Sequence, residues 1–203
     1  MDEWRGGLLD GAPRMTDHFA TLALPRRPWL EPEEIKVAFH RLAAERHPDS
    51  PGGEAEAFAR TNAAWQILRE PASRLRHLLA LEFPALDLAS TQLPPALADA
   101  FMDIAALLRV LEDFRRRKAA ASGALASALL ADDRGKLERR VSAALALIDA
   151  IIARAHDEVR TIDTSWPQRD DTTADRLFAL QRELTFAEKW SAQLREGLFT
   201  LGG

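Results

Sequence analysis

Residues 31–69 read EPEEIKVAFHRLAAERHPDSPGGEAEAFARTNAAWQILR, and the apolar spacing on either side of the central prolines decides the fold. Pro32 is tolerated in a first helical turn, after which Ile35, Ala38, Phe39 and Leu42 fall on one stripe of a helix over Glu33 to Arg46. Pro48 stops that helix, because its ring clashes with the preceding turn and it has no amide hydrogen to donate. Ser50-Pro51-Gly52-Gly53 is a tight polar connector. From Glu54 to Arg69, the residues Phe58, Thr61, Trp65 and Leu68 recur at spacings of three and four, so a second helix follows. The pattern predicts an antiparallel helical hairpin with residues 47–53 at its tip.

Working outward, Thr16 and Asp17 can cap a short helix over Asp17 to Leu24, stopped by Pro25 and Pro28. Downstream, Pro71 restarts a helix through Leu81, and Phe83 to Pro95, with three prolines, reads as a linker. Three longer amphipathic stretches come next. The first repeats Leu97, Ala100, Ile104, Leu107, Leu111 and Phe114; the second, from about Arg134, repeats Leu137, Val141, Leu145, Ile148, Ile152 and Val159. Thr161 to Asp171, with Trp166-Pro167, is expected to connect this to a third helix marked by Leu177, Leu180, Leu184, Ala187, Leu194 and Leu198. The expected fold is all-α: an N-terminal hairpin with short flanking helices over 16–82, a linker over 83–95, and a C-terminal three-helix antiparallel bundle over 96–203. Residues 1–15, with glycines at 6, 7 and 11, read as a flexible extension.

Composition supports this class. Among 203 residues there are four valines and seven isoleucines beside abundant Ala, Leu, Glu and Arg, so the enrichment that marks strands is missing. The chain is 47% apolar and 29% charged, enough to bury a core and too mixed for disorder. Having no cysteine, it has no disulfide, no thiol nucleophile and no Cys-bound metal or cluster. A net charge of −4 lacks the basic excess that nucleic acid binding leaves. No apolar run approaches the roughly 18 residues a membrane span requires, and no signal core is visible, so a cytoplasmic protein is expected.

Three side chains at the hairpin tip carry the chemistry. His47-Pro48-Asp49 combines a rigid kink with two polar groups facing solvent. On its own the tripeptide reads equally as a helix stop with Asp49 forming a turn. A catalytic or metal role is set aside, because no third ligand, nucleophile or glycine-rich phosphate loop lies nearby. At about 100° per residue, Lys36 and His40 share a stripe leading to His47, off the core stripe, and Arg41 lies on the other flank. Such a face suits docking on an acidic surface.

Residues 17–81 resemble a J-domain, the module that stimulates ATP hydrolysis by DnaK-type chaperones. The resemblance runs through Asp17-x-Phe19, Leu22-x-Leu24-Pro25, Ile35-x-x-Ala38-Phe39-x-x-Leu42-Ala43, the His-Pro-Asp loop, and Asn62-x-Ala64-Trp65-x-x-Leu68 ahead of Pro71. Ala64-Trp65-Gln66-Ile67-Leu68-Arg69-x-Pro71 through Arg74, Leu78 and Leu79 is similar to the HscB (Jac-type) branch, in which a helical bundle follows the J-domain. The resemblance implies a non-enzymatic co-chaperone without cofactor, which delivers an IscU-type iron–sulfur scaffold protein to a DnaK/HscA-type ATPase; from charge and apolar run length, no nucleic acid and no membrane partner is expected. By matching position, His47, Pro48 and Asp49 would activate the ATPase, and Lys36, His40 and Arg41 would dock on it. Phe101, Met102, Ala105, Asp113 and Phe186 would bind the client.

Helical geometry agrees in part: Met102 projects away from the first bundle seam, Phe101 lies at its edge, and Phe186 stands roughly 120° from the third seam. Two departures are visible. Ala106 and Arg109 stand where the family has carboxylates, and Glu45-Arg46 replaces the usual basic and aromatic residues before the loop. Arg46 is expected to lay its stem on the core with its charge in water. A J-protein for another client, or a helical scaffold or hydrolase with an incidental loop, are the alternatives.

Overall fold

The computed structural model describes residues 15–89 and 92–202, so Met1 to Arg14 of the expected extension lie outside the described residues. Seven helices are described: α1 (His18–Thr21), α2 (Pro32–Arg46), α3 (Ala55–Leu68), α4 (Pro71–Glu82), α5 (Ala98–Ala120), α6 (Ala124–Thr164) and α7 (Asp171–Gly202). No strand occurs among the described residues.

Local chemistry explains most of the boundaries. Pro32 opens α2, and Glu33 and Glu34 in its first turn favour the positive end of the helix dipole. Pro71 opens α4 in the same way. Helix α1 is shorter than the expected Asp17 to Leu24. It is capped by the Asp17 carboxylate on the Ala20 amide at 3.1 Å and ends when Ala23 adopts a φ of +55°. That turn sends both Leu22 and Leu24 into the core, with the Leu24 amide donating to the Phe19 carbonyl at 2.9 Å.

Helix α6 begins about ten residues before the expected Arg134 and continues to Thr164, past the expected start of the connection at Thr161. Pairs one turn apart support the helix on either side of Gly135. Lys136 reaches Asp132 at 2.6 Å and Arg134 reaches Glu138 at 3.4 Å, while Arg117 on α5 grips Asp133 at 2.8 Å.

Helix α6 has 41 residues and α7 has 32, against 23 for α5, so at 1.5 Å per residue α6 is about 27 Å longer than α5. Antiparallel α6 and α7 form a spine, seen in Arg176 pairing with Glu158 and Arg195 with Asp149, both at 3.3 Å. One stretch of the spine packs α5 through Leu107, Leu111, Phe114, Val141, Ile148 and Leu194. The other packs the N-terminal helices, and Phe19, Leu30, Leu75, Leu79, Val159, Leu177 and Leu184 belong to a single buried cluster. The N-terminal unit therefore shares its core with the bundle across the proline-rich segment.

Polar groups seal this junction. Arg27 Nε donates to both oxygens of Asp163 at 3.0 Å, the Trp29 amide donates to the same carboxylate at 3.1 Å, and Trp166 Nε1 donates to the Arg26 carbonyl at 2.8 Å. Glu82 accepts from Arg26 and from Arg169. The Arg160 guanidinium lies 4.0 Å from the Trp29 ring centroid.

Candidate functional site

The hairpin forms because α2 and α3 present matching apolar faces. Ile35, Ala38 and Leu42 are buried against Ala64 and Leu68, and Phe39 stacks on Trp65 with centroids 4.7 Å apart. The chain reverses at residues 47–53 through hydrogen bonds of its own. The Ser50 amide donates to the His47 carbonyl at 2.8 Å, Ser50 Oγ to the Ala44 carbonyl at 2.8 Å, and the Gly53 amide to the Ser50 carbonyl at 2.9 Å. Gly53 is required here: a Cβ at this position would stand 1.8 Å from the His47 carbonyl oxygen. The sequence showed Gly53 only as part of a connector, since close approach of two backbone segments leaves no periodic signal.

His47, Pro48 and Asp49 are all exposed at the tip. His47 Nδ1 accepts from the Asp49 amide at 3.2 Å and lies 3.7 Å from the Asp49 carboxylate, whose side chain is 93% exposed. The edge of the His47 ring meets Phe58 of α3 at 5.2 Å between centroids. The tip thus presents an imidazole and a carboxylate side by side, backed by a proline and a phenyl ring, with no enclosing wall. That arrangement suits contact with a second macromolecule better than turnover of a small substrate.

Lys36, His40 and Arg41 are exposed on α2. Lys36 pairs with Glu33 at 3.4 Å and Arg41 with Glu45 at 3.6 Å. Exposed pairs of this kind are worth about 0–1 kcal/mol, so both cations can exchange partners at little cost. Arg46 differs from the expectation. Its charge turns inward, and Nη1 donates to Thr61 Oγ1 at 2.8 Å and to the Thr21 carbonyl at 3.3 Å.

Residues 17–77 match the DnaJ domain family. The N-terminal unit is a J-domain, the His-Pro-Asp loop is its hairpin tip, and the C-terminal region is helical. A J-domain implies co-chaperone activity with an Hsp70-type ATPase.

On the bundle, Phe101 and Met102 are 40% and 67% exposed, and Ala105 is half-buried. Phe186 is less open than its angle implied, because it leans on Trp190. The Phe186 and Phe101 rings lie 5.9 and 6.0 Å from Trp190, which is buried between α5 and α7. Phe101 of α5 and Phe186 of α7 therefore both pack against Trp190. The spacing of four between Phe186 and Trp190 was the available signal. Asp113 is not part of this group; it lies twelve residues along α5 from Phe101, about 18 Å, and pairs with Arg116.

The rings of His18 and His77 stand 4.6 Å apart. The His18 amide donates to His77 Nε2 at 3.1 Å, and burial with the neighbouring His18 holds His77 down to a pKa of about 4. Where α4 meets α7, burial pushes Glu188 up to about 7, with Glu70 adding to the rise and the Ala72 amide and Arg74 opposing it. Arg74, almost fully buried, is lowered to about 10 by that burial and donates to the Leu68 carbonyl at 2.8 Å. Among the described residues no group of three or more His, Asp or Glu side chains is placed to hold a metal ion, and no helix is long and apolar enough to cross a membrane.

Proposed function

We propose that this chain is a cytoplasmic, non-enzymatic co-chaperone that stimulates a DnaK/HscA-type ATPase and delivers to it an IscU-type scaffold protein during iron–sulfur cluster assembly. The single observation that carries the reading is the open His47-Pro48-Asp49 tip of a J-domain hairpin. Lys36, His40 and Arg41 steer α2 onto an acidic face of the ATPase, and the tip then inserts His47 and Asp49 where nucleotide hydrolysis is controlled. The scaffold assignment is supported by the HscB-like run from Ala64 to Leu79, by Phe101 and Phe186 against Trp190, and by the exposed Met102 next to Phe101 in the chain. Clustered aromatic side chains of this kind make good anchors for a protein partner.

A second reading, a J-protein for a different client, is favoured by Ala106 and Arg109 and by the commitment of Asp113 to Arg116. Steady-state ATP hydrolysis by a DnaK-type chaperone, with this protein and an IscU-type scaffold added separately and together, distinguishes the two. Stimulation that is more than additive with scaffold is the expected result. Stimulation without synergy selects the different client, and no stimulation at all removes the co-chaperone reading.

A further inference from the structure

We propose that Arg46 is a positioning residue for the His-Pro-Asp loop, setting the direction in which His47 and Asp49 leave the hairpin; the proposal rests on the co-chaperone reading above. The hydrogen bonds described for the loop stay local. The Asp49 amide reaches His47 Nδ1, the Ser50 amide reaches the His47 carbonyl, Ser50 Oγ reaches the Ala44 carbonyl, and the Gly53 amide reaches Ser50. These shape the turn and tie it to the end of α2, and the His47 ring rests on Phe58 of α3, but none of these hydrogen bonds joins the end of α2 to α1 or α3.

Arg46, the last residue of α2 and the immediate neighbour of His47, supplies that attachment. One guanidinium nitrogen donates at 2.8 Å to the hydroxyl of Thr61 and at 3.3 Å to the Thr21 carbonyl, so a single side chain joins the ends of α1 and α2 to the middle of α3. Thr61 is fully buried, and its own hydroxyl hydrogen goes to the Ala57 carbonyl at 2.9 Å, which leaves its oxygen lone pairs facing Arg46. The Thr21 carbonyl belongs to the last turn of α1, where carbonyls lack intrahelical donors. The acceptors on both sides are thus part of the fold, and the two hydrogens of the one terminal nitrogen Nη1 reach them. A lysine at the same position also carries several donors on one nitrogen, but on a shorter stem and without the planar guanidinium that fixes their directions. With the final turn of α2 held by a buried hydroxyl on one side and a carbonyl on the other, the loop projects from a fixed base. Small displacements of reacting or docking groups cost large factors in rate.

The test uses the full chain and two independent measurements. Heteronuclear NMR reads the order and amide shifts of residues 47–53; ATPase assays with a purified DnaK-type chaperone separate maximal stimulation from the half-saturating concentration. Arg46→Ala and Thr61→Val are expected to loosen the loop amides and to lower maximal stimulation about five- to tenfold, with the half-saturating concentration within about twofold. The double variant should be no worse than the poorer single one, because the two residues share one bond. Thr61→Ser should behave as the parent, and Arg46→Lys should lie between.

Folding is followed by circular dichroism and thermal unfolding. Should Arg46→Ala not fold, Thr61→Val and Arg46→Lys give the same reading. Unchanged loop amides with full maximal stimulation in Thr61→Val, or strictly additive effects in the double variant, overturn the proposal. Failure of the co-chaperone reading looks different: the parent chain, or Asp49→Asn alike, would show the same ATPase rate, while the NMR comparison would still report on Arg46.

Discussion

The loop at residues 47–53 and the junction around Trp29, Asp163 and Trp166 are both rich in polar side chains, and their surroundings give them opposite roles. At the loop, His47 and Asp49 face solvent; His47 Nδ1 accepts the Asp49 amide within the turn, and the hydrogen bonds described leave His47 Nε2 and the Asp49 carboxylate open. At the junction, Asp163 is buried and its carboxylate is saturated by Arg27 and the Trp29 amide, so its capacity is spent on holding the J-domain to the spine. One region is left open to solvent, as the proposed docking tip requires. The other makes the orientation of that available tip reproducible relative to the apolar surface on α5 and α7.

The sharpest way to break this contrast is Asp49→Asn. Stimulation of a DnaK-type ATPase should be abolished while the helical spectrum and thermal midpoint stay put. An exposed side chain of this kind contributes within about 0.5 kcal/mol. A substantial loss of stability would show that the tip is structural after all.

Removing a junction group should do the reverse. Leu177→Ala, in the core shared by the J-domain and spine, should cost about 3 kcal/mol in urea unfolding. Asp163→Ala should cost about 2 kcal/mol, below the range for a fully buried pair because Arg27 is half exposed. A change under about 0.5 kcal/mol for Asp163→Ala would make the junction an ordinary surface contact.

A smaller effect is expected at the bundle surface. Phe186→Ala should weaken binding of an IscU-type scaffold about tenfold, measured by calorimetry, and leave stimulation by the chain alone unaltered. Equal binding by parent and variant would move the client elsewhere.

The smallest effect is the pH dependence of stability, because two groups act against each other. His77 has a folded pKa of about 4, below its ordinary 6.5, so the stability tied to its neutral form is present above 6.5 and is lost as pH falls toward 4. Protonation of Nε2 would also displace the His18 amide. Glu188 has a folded pKa of about 7, above its ordinary 4.5, so its contribution is present below 4.5 and is lost as pH rises through 7. Between 4.5 and 6.5 the slopes oppose. Glu188→Gln should flatten the loss of stability toward pH 8, and denaturant midpoints across pH 4 to 8 would expose a variant that keeps the parent slope.

Much of this was legible before the structure. The α2 and α3 hairpin was readable because Pro32, Pro48, Gly52 and Gly53 punctuate it and because Ile35, Leu42, Trp65 and Leu68 repeat at the helical period. The exposure of Met102 followed from the same arithmetic. The end of α1 at Thr21, the early start of α6 and the partial burial of Phe186 were not legible. Each depends on a residue distant in sequence or on a neighbouring helix: the core that takes Leu22 and Leu24, Arg117 holding Asp133, and Trp190 beneath Phe186. Arg46 was misjudged for the same reason, since a long cation looks solvated until its acceptors on other helices are known.

By itself, then, the order of residues determined the all-α class, the proline-tipped hairpin and the two polar groups it displays, because periodicity and backbone restriction act within a few residues. Only the tertiary structure decided that the J-domain and the bundle share a core along one spine, and which way Arg46, Asp163 and Glu188 direct their charges. Those outcomes turn on desolvation and hydrogen bonding between separate segments, 15 residues apart for Arg46 with Thr61 and 136 for Arg27 with Asp163, and such partners meet only once the chain has folded.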